Sequence, residues 1–520
     1  MDMAIKLIML VVFFGLMILI GLYCRRHAGS VDGFVLGGRS VGAWFTAFAY
    51  GTSYFSAVIL VGYSGQFGWK YGISSTWIGL GNAIIGSYLA WTILGRRTRV
   101  MTQHLQSKTM PDFFEKRYNN RNLGIGAALI VFVFLIPYAA SLYNGLSRLF
   151  AMAFSIDYSL CILIMTLLTA IYVVAGGYMA TVINDFIQGI IMLGGIVIIT
   201  IAALKQFSGL SMAMDALARV VDTSVTDTPG IFTSFFGPDP FNLTAVVILT
   251  SLGTWSLPQM TQKFYAIKNE AAIVKGTVIS TLFAVVVAGG CYFLGGFGRL
   301  LTGEVDVAAQ GYDVIIPTMF RHFSPVLLGL VVVLVLAASM STLSSLVLTA
   351  SSTLTLDLIE KKKCANINET RQLRTIRLLI VLFIVLSAVI AIVQYKYNFA
   401  FIAQLMGLSW GAMAGAFLGP YLYGLYSKRT TVAAVWVSYI LGVGLMLLNM
   451  FFQSSFPAWL QSPINCGAFV MLLSLVVTPL VSAVTPQVSQ EHVERVFACY
   501  GQTVTVTVTD SIGESGVEIP

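Results

Sequence analysis

The sequence predicts an all-α protein that crosses a lipid bilayer about thirteen times. Three observations carry this expectation. Of 520 residues, 57% are hydrophobic and only 10% charged, whereas a soluble domain carries about 25% charged residues. The apolar residues gather in runs of about 17–25, the length that crosses a hydrocarbon layer about 30 Å thick. The basic residues concentrate in alternate connections between those runs, as they do in cytoplasmic loops. The net charge of +8 therefore reports topology and is no signal of nucleic-acid binding.

The runs lie near 4–23, 43–66, 74–95, 123–150, 159–177, 182–204, 241–262, 275–298, 324–356, 376–395, 399–425, 431–451 and 464–484. The first ends at Arg25-Arg26 with no small-residue cleavage site, so it reads as a retained helix and not a signal peptide. An outside N-terminus places Arg25, Arg26, Arg39, Arg96, Arg97, Arg99, Lys108, Lys116, Arg117 and Arg121 in cytoplasmic stretches. Lys263, Lys268, Lys275, Lys361, Lys362, Lys363, Arg371, Arg374, Arg377, Lys428, Arg429 and Arg495 fall there too, making 22 of the 30 basic residues. An odd number of crossings then leaves the C-terminus inside.

The long connections near 205–240 and 299–323 are expected outside, either as short helices over a mouth or as surface linkers. The tail from about 485 is polar, and its alternating run TVTVTVT (503–509) lacks a partner strand, so it is expected to be poorly ordered. Cys24, Cys161, Cys291, Cys364, Cys466 and Cys499 form no CxxC pair and read as free thiols. His27, His104, His322 and His492 are scattered. With neither a metal cluster nor a nucleophile–base pair, an enzyme is excluded, and a passive channel fits poorly because the polar residues converge instead of lining a continuous pore.

The second run contains AYGTSYFSA (49–57) and the seventh TSLGTWSLPQ (250–259). Small and hydroxyl residues also serve close helix packing. Here, however, two interrupted spans fall five crossings apart, at matching places in two halves, which points to an inverted-repeat transporter. Unwound backbone at membrane depth survives only where it is buried in protein or lines a cavity. In the ninth run, AASMSTLSSL (337–346), Ala338, Ser341, Thr342 and Ser345 share one helix face. Hydroxyl and carbonyl oxygens suit a hard cation such as sodium. Asp185, opening the sixth run, is either an interfacial residue or an ionisable group turned to function.

These residues, with GGRS (37–40), AGGYMA (175–180) and MSTLSS (340–345), resemble the sodium/solute symporter family, which includes bacterial proline, pantothenate and sialic acid transporters. The resemblance spans about residues 5–485. It implies a LeuT-like five-plus-five inverted repeat in the cell membrane behind a leading helix (1–42), with halves at 43–204 and 241–427, an outer loop at 205–240, two peripheral helices (428–485) and a cytoplasmic tail (486–520). It implies Na+ as the coupling ion and a small organic solute as cargo, by alternating access; a proton remains the alternative ion, and the oligomeric state is open. The main sodium site would use the carbonyls of Thr52, Phe55 and Ala338 with the hydroxyls of Ser341 and Thr342. A second site found in some members would use Asp185, Ser341, Ser344 and Ser345, giving two sodium ions per cycle. Proline transporters of the family carry Asp, Trp and Tyr where this chain has Tyr54, Thr250 and Thr254, which disfavours proline. A small carboxylate-bearing solute such as pantothenate is expected, contacted by Tyr54, Ser56, Trp77, Asn82, Tyr138, Ser141, Thr254 and Trp255.

Overall fold

The computed structural model describes residues 2–25, 29–154, 157–222, 225, 228–301, 305–321, 323–360, 368–397 and 402–501. Arg26, His27, His322, Lys361, Lys362, Lys363, Cys364 and the run at 503–509 lie outside the described residues. Helix α1 (Asp2–Cys24) turns Leu7, Ile8, Val11, Val12, Leu16, Leu19 and Leu22 outward while Phe13 and Met17 pack inward. An apolar stripe left exposed along a whole helix is what lipid, not water, accommodates.

The chain then folds back through the GGRS turn. Gly37 and Gly38 take φ of 59° and 65°, which glycine adopts without steric cost. Arg39 donates to the carbonyls of Ser107 (2.5 Å) and Tyr265 (3.3 Å), locking the turn to two later stretches of the chain. Helix α2 (Ala43–Tyr54) stops at Phe55, whose φ and ψ of −97° and 84° are not helical. The chain winds again from Val58 into α3 (Ser64–Tyr71), and Ser56 Oγ caps the new start by accepting from the Val58 N–H (3.2 Å). After Gly72 (φ 62°), α4 (Thr76–Gly81) runs on through residues 82–95 into α5 (Arg96–His104).

Helices α6 (Arg121–Phe154) and α7 (Tyr158–Lys205) follow. Forty-eight residues of α7 would measure about 72 Å if straight, over twice a bilayer core. Gly177 interrupts it at φ 57°, ψ −146°, and a Cβ there would meet the Phe34 ring at 2.8 Å. Next come α8 (Pro240–Leu252) and α9 (Pro258–Ala266), bent by 41° across a short break. Pro258 opens α9, where its missing N–H costs nothing. The remaining spans are α10 (Glu270–Gly295), α11 (Pro325–Thr353), α12 (Glu369–Tyr397), α13 (Ile402–Tyr426), α14 (Val432–Phe451) and α15 (Pro463–Val484). Among the described residues, ten helices are long and apolar enough to cross a membrane, or eleven with the bent α8–α9 pair. Division at Gly72 and Gly177 supplies the stretches expected at 43–66, 74–95, 159–177 and 182–204. Among the described residues there is no strand, only the bridge Val41–Ile267.

Helix α11 lies at the centre. Every residue from Val331 to Thr353 is buried, against α2, α6 and α7. A helix without a charged face for water takes such a place. Five of the six cysteines are buried free thiols, and the sixth, Cys364, is outside the described residues. The tail departs from expectation. Helix α16 (Gln490–Phe497) buries Val493 and Val496, and His492 pairs with the Lys116 carbonyl (3.0 Å). The Arg97 guanidinium lies over the Tyr426 and Tyr500 rings, at 4.0 and 4.6 Å. The tail is polar on average, but through residue 501 its apolar residues share one face and dock.

Candidate functional site

The break in α2 faces the hydroxyl cluster of α11. Thr52 belongs to the last turn of α2, whose carbonyls have no onward helical partners. Its carbonyl accepts from Ser341 Oγ (3.1 Å) and Thr342 Oγ1 (3.0 Å). Both hydroxyls also lie 3.2 Å from the Ala338 carbonyl, and Ser341 Oγ is 2.9 Å from that of Ala337. Two hydroxyls carry two protons, yet three carbonyls surround them. Thr52 Oγ1 adds a buried oxygen with no hydrogen-bond partner. Four of the five expected ligand oxygens therefore converge, in surroundings from which water is excluded. Phe55, the fifth, is in the unwound stretch next to Thr52. An excess of neutral oxygen acceptors around one point fits a hard monovalent cation.

The second expected cluster is built differently. Asp185 on α7 is fully buried, not interfacial, and its partner is Lys263 of α9. The two side chains are 0% and 2% exposed, with Nζ 3.7 Å from Asp185 Oδ2. Lys263 Nζ also donates to Ser345 Oγ (3.0 Å) and sits over the Tyr178 ring (5.4 Å). Ser345 Oγ pairs in turn with Ser53 Oγ of α2 (2.9 Å). Ser344 Oγ turns back to the Ser341 carbonyl (2.9 Å). The expectation that placed Lys263 in a cytoplasmic loop is thus corrected. The apolar run stops at 262, but α9 continues to Ala266 with Phe264, Tyr265 and Ala266 buried. A basic residue beside a buried acid was the overlooked signal.

The residues expected at the solute divide into three groups. Tyr54 and Tyr138 flank Trp410 of α13, with ring centroids 6.1 and 5.9 Å away. The Trp410 ring also reaches the α8–α9 break, where a Cβ on Gly253 would meet it at 2.9 Å. Tyr138 Oη, Trp410 Nε1 and Ser256 Oγ are buried without a hydrogen-bond partner among the described residues. Buried polar groups are seldom left unpaired, so these three are candidates to meet a ligand. Trp410 and Ser256 were absent from the expected set; Ser256 adjoins the Leu257-Pro258 break, while nothing in the α13 sequence singled out Trp410.

A second group braces the scaffold. Asn82 Oδ1 accepts from Thr250 (2.8 Å) and Ser251 (3.1 Å). Thr254 Oγ1 donates to the Gly86 carbonyl (3.1 Å), Trp255 Nε1 to that of Ile85 (2.9 Å) and Tyr54 Oη to that of Thr250 (2.6 Å). These bonds tie α8 to the neighbouring spans. Ser56 caps the renewed helix, and Ser141 Oγ returns to the Tyr138 carbonyl (2.6 Å).

Trp77 stands apart. Its indole donates to the Phe235 carbonyl (2.8 Å), and it lines a cavity of about 390 Å³ with Ile73 and Phe293. A larger cavity of about 920 Å³ opens beside the 205–240 connection, where Asp222 and Asp239 face Lys70, Arg299, Trp69 and Tyr312. Asp222, Val225, Pro238 and Asp239 of that connection line the cavity wall.

Residues 34–442 match the model of the sodium:solute symporter family. The chain belongs to that family. It is 30% identical over 435 residues to sodium/proline symporter 2 of Staphylococcus saprophyticus, with 81% of each chain covered. It is 29% identical over 451 residues to the sodium/proline symporter of Staphylococcus aureus (bovine strain RF122), covering 83% of this chain and 86% of the relative. Among solved structures, the substrate-bound, outward-open state of a Na+-coupled sialic acid symporter matches with a TM-score of 0.72 at 17% identity, covering 94% of this chain and 99% of that one. Mhp1, a nucleobase-cation-symport-1 family transporter in a closed conformation, matches with a TM-score of 0.52 at 12% identity, covering 89% and 98%. These likenesses give the LeuT-like fold. The symporter is a multi-pass cell-membrane protein, not an enzyme, and it couples a solute to Na+.

Proposed function

We propose that the symporter drives inward uptake of a small carboxylate-bearing solute with sodium bound by Thr52, Phe55, Ala338, Ser341 and Thr342. The observation that carries this is the acceptor-rich cluster between the α2 break and α11. An ion there bridges the two halves, 43–204 and 241–427, and so can set their relative position during alternating access. Thirteen crossings with an outside N-terminus accord with the distribution of basic residues.

The cage around Trp410 supports a carboxylate. Tyr138 Oη and Trp410 Nε1 offer donors to an acceptor-rich head, and the aromatic rings suit a compact apolar body. The start of α9 at the break adds the positive end of a half-helix. One charge moving through 100 mV yields about 2.3 kcal/mol, and a tenfold sodium gradient adds about 1.4 kcal/mol. Proline is the second reading, favoured by the sodium/proline symporters among the relatives.

Proteoliposomes given labelled pantothenate or proline, under a sodium or a potassium gradient, test both readings. Uptake is expected with sodium alone, and faster for pantothenate. Equal uptake in the two salts would remove sodium from the proposed cluster. Tyr138→Phe should raise the half-saturating solute concentration roughly tenfold, because a donor to a charged group contributes about 1.5 kcal/mol. Its half-saturating sodium should stay unchanged.

A further inference from the structure

We infer that the Lys263 ammonium is a tethered cation in the seat between Asp185 and Ser345, so that each transport cycle carries a single sodium ion. The inference rests on the sodium site proposed above and goes beyond it, to stoichiometry.

The geometry comes first. A free cation drawn to Asp185, Ser341, Ser344 and Ser345 would have to share Ser345 Oγ. That oxygen already accepts from Lys263 at 3.0 Å, and Asp185 Oδ2 lies 3.7 Å from the same ammonium. Two like unit charges about 4 Å apart in a buried site repel strongly. One buried carboxylate cannot balance both. Ser344 Oγ donates to the Ser341 carbonyl and adds no charge to offset the ammonium. The residues present therefore do not fit a second sodium ion while Lys263 is in place.

The tether also has a structural consequence. Lys263 is on α9, the second half of one broken span. Ser345 is on α11, and through Ser345 the ammonium reaches Ser53 of α2, the first half of the other broken span. Ser53 is next to Thr52, whose carbonyl faces Ser341 and Thr342. The fixed cation thus fastens both interrupted helices to α11 beside the sodium cluster. It does so without drawing an ion from solution, and without contributing charge movement from a second ion.

The test counts sodium on the purified full-length protein without solute, so that solute identity does not enter. Wild type, Lys263→Gln and the charge-neutral Lys263→Gln/Asp185→Asn pair are equilibrated with saturating radioactive sodium. The expected counts per protein are one, two and one, because only Lys263→Gln leaves a buried carboxylate without a cation. For the same reason, sodium should raise the melting temperature of Lys263→Gln more than that of wild type. Two ions on the wild type, or one on Lys263→Gln, would overturn the inference while sparing the α2–α11 site. No ion on the wild type would overturn that site and this inference with it. The wild-type count needs no variant, so a poorly folded Lys263→Gln does not protect the claim.

Discussion

Two polar clusters lie one turn apart on α11 and solve the problem of buried polarity in different ways. At Ser341 and Thr342, two hydroxyls face three carbonyls, all neutral, and one of the three, that of Thr52, belongs to interrupted backbone. At Ser345, a hydroxyl joins a full carboxylate and a full ammonium. The first arrangement attracts a cation weakly enough to release it, as transport requires. The second has both charges built in, and opposite charges held together in the interior are costly to separate. The comparison separates a site for exchange from a site for fastening, although the two carry similar side chains on one helix.

The largest effect should come from the exchange site. In Ser341→Ala/Thr342→Ala, two oxygen ligands disappear and the remaining carbonyls have nothing to complete their shell. At about 1–3 kcal/mol for each buried partner lost, the half-saturating sodium concentration should rise at least about 30-fold. Sodium-dependent uptake measures this. A shift under about threefold would place the ion elsewhere.

The next effect belongs to the fastening site and should appear in another observable. Asp185→Asn leaves the Lys263 ammonium buried and unpaired, which costs about 3–5 kcal/mol of stability. Thermal unfolding should fall markedly, while sodium affinity per folded molecule stays within about twofold. Loss of sodium affinity without loss of stability would make Asp185 a direct ligand and collapse the distinction. Ser345→Ala should be milder, destabilising by about 1–3 kcal/mol as the bonds to Lys263 and Ser53 vanish, again with sodium activation unchanged.

Much of this arrangement was legible in the residues. Gly51 and Pro258 with their hydroxyl neighbours mark the two breaks, because each element that interrupts a helix is a local property of the chain. The shared face of Ala338, Ser341 and Thr342 follows from helical period alone. What was not legible depends on how α9, α11 and α13 meet. Lys263 reads as a loop residue while the apolar run is counted to 262, since a run length does not register a cation whose partner is 78 positions earlier, at Asp185. Trp410 sits in a helix with no interruption or motif beside it, and only packing against Tyr54, Tyr138 and Gly253 distinguishes it. Trp77, expected at the solute, spends its indole on the Phe235 carbonyl, a partner 158 positions away that no local pattern shows. The tail to residue 501 was misjudged because average polarity hides a docked face carrying Val493 and Val496.

The smallest effect gives the sharpest test of the boundary between the clusters. Ser344 is in the MSTLSS motif and matches a position of the family's second sodium site, so motif reasoning alone would make it as important as Ser341. In the structure its hydroxyl returns to the carbonyl of Ser341, three residues back on its own helix (2.9 Å). Such a local bond competes with helix geometry and adds little stability. Ser344→Ala should therefore change stability by no more than about 0.5 kcal/mol, and half-saturating sodium by less than about twofold. Equilibrium sodium titration followed by thermal unfolding would show both. A tenfold loss of sodium affinity from this one hydroxyl would mean that Ser344 turns towards Asp185 when an ion is bound. The fastening site would then be an exchange site in another state of the cycle, and Lys263 would have to leave it on every turnover.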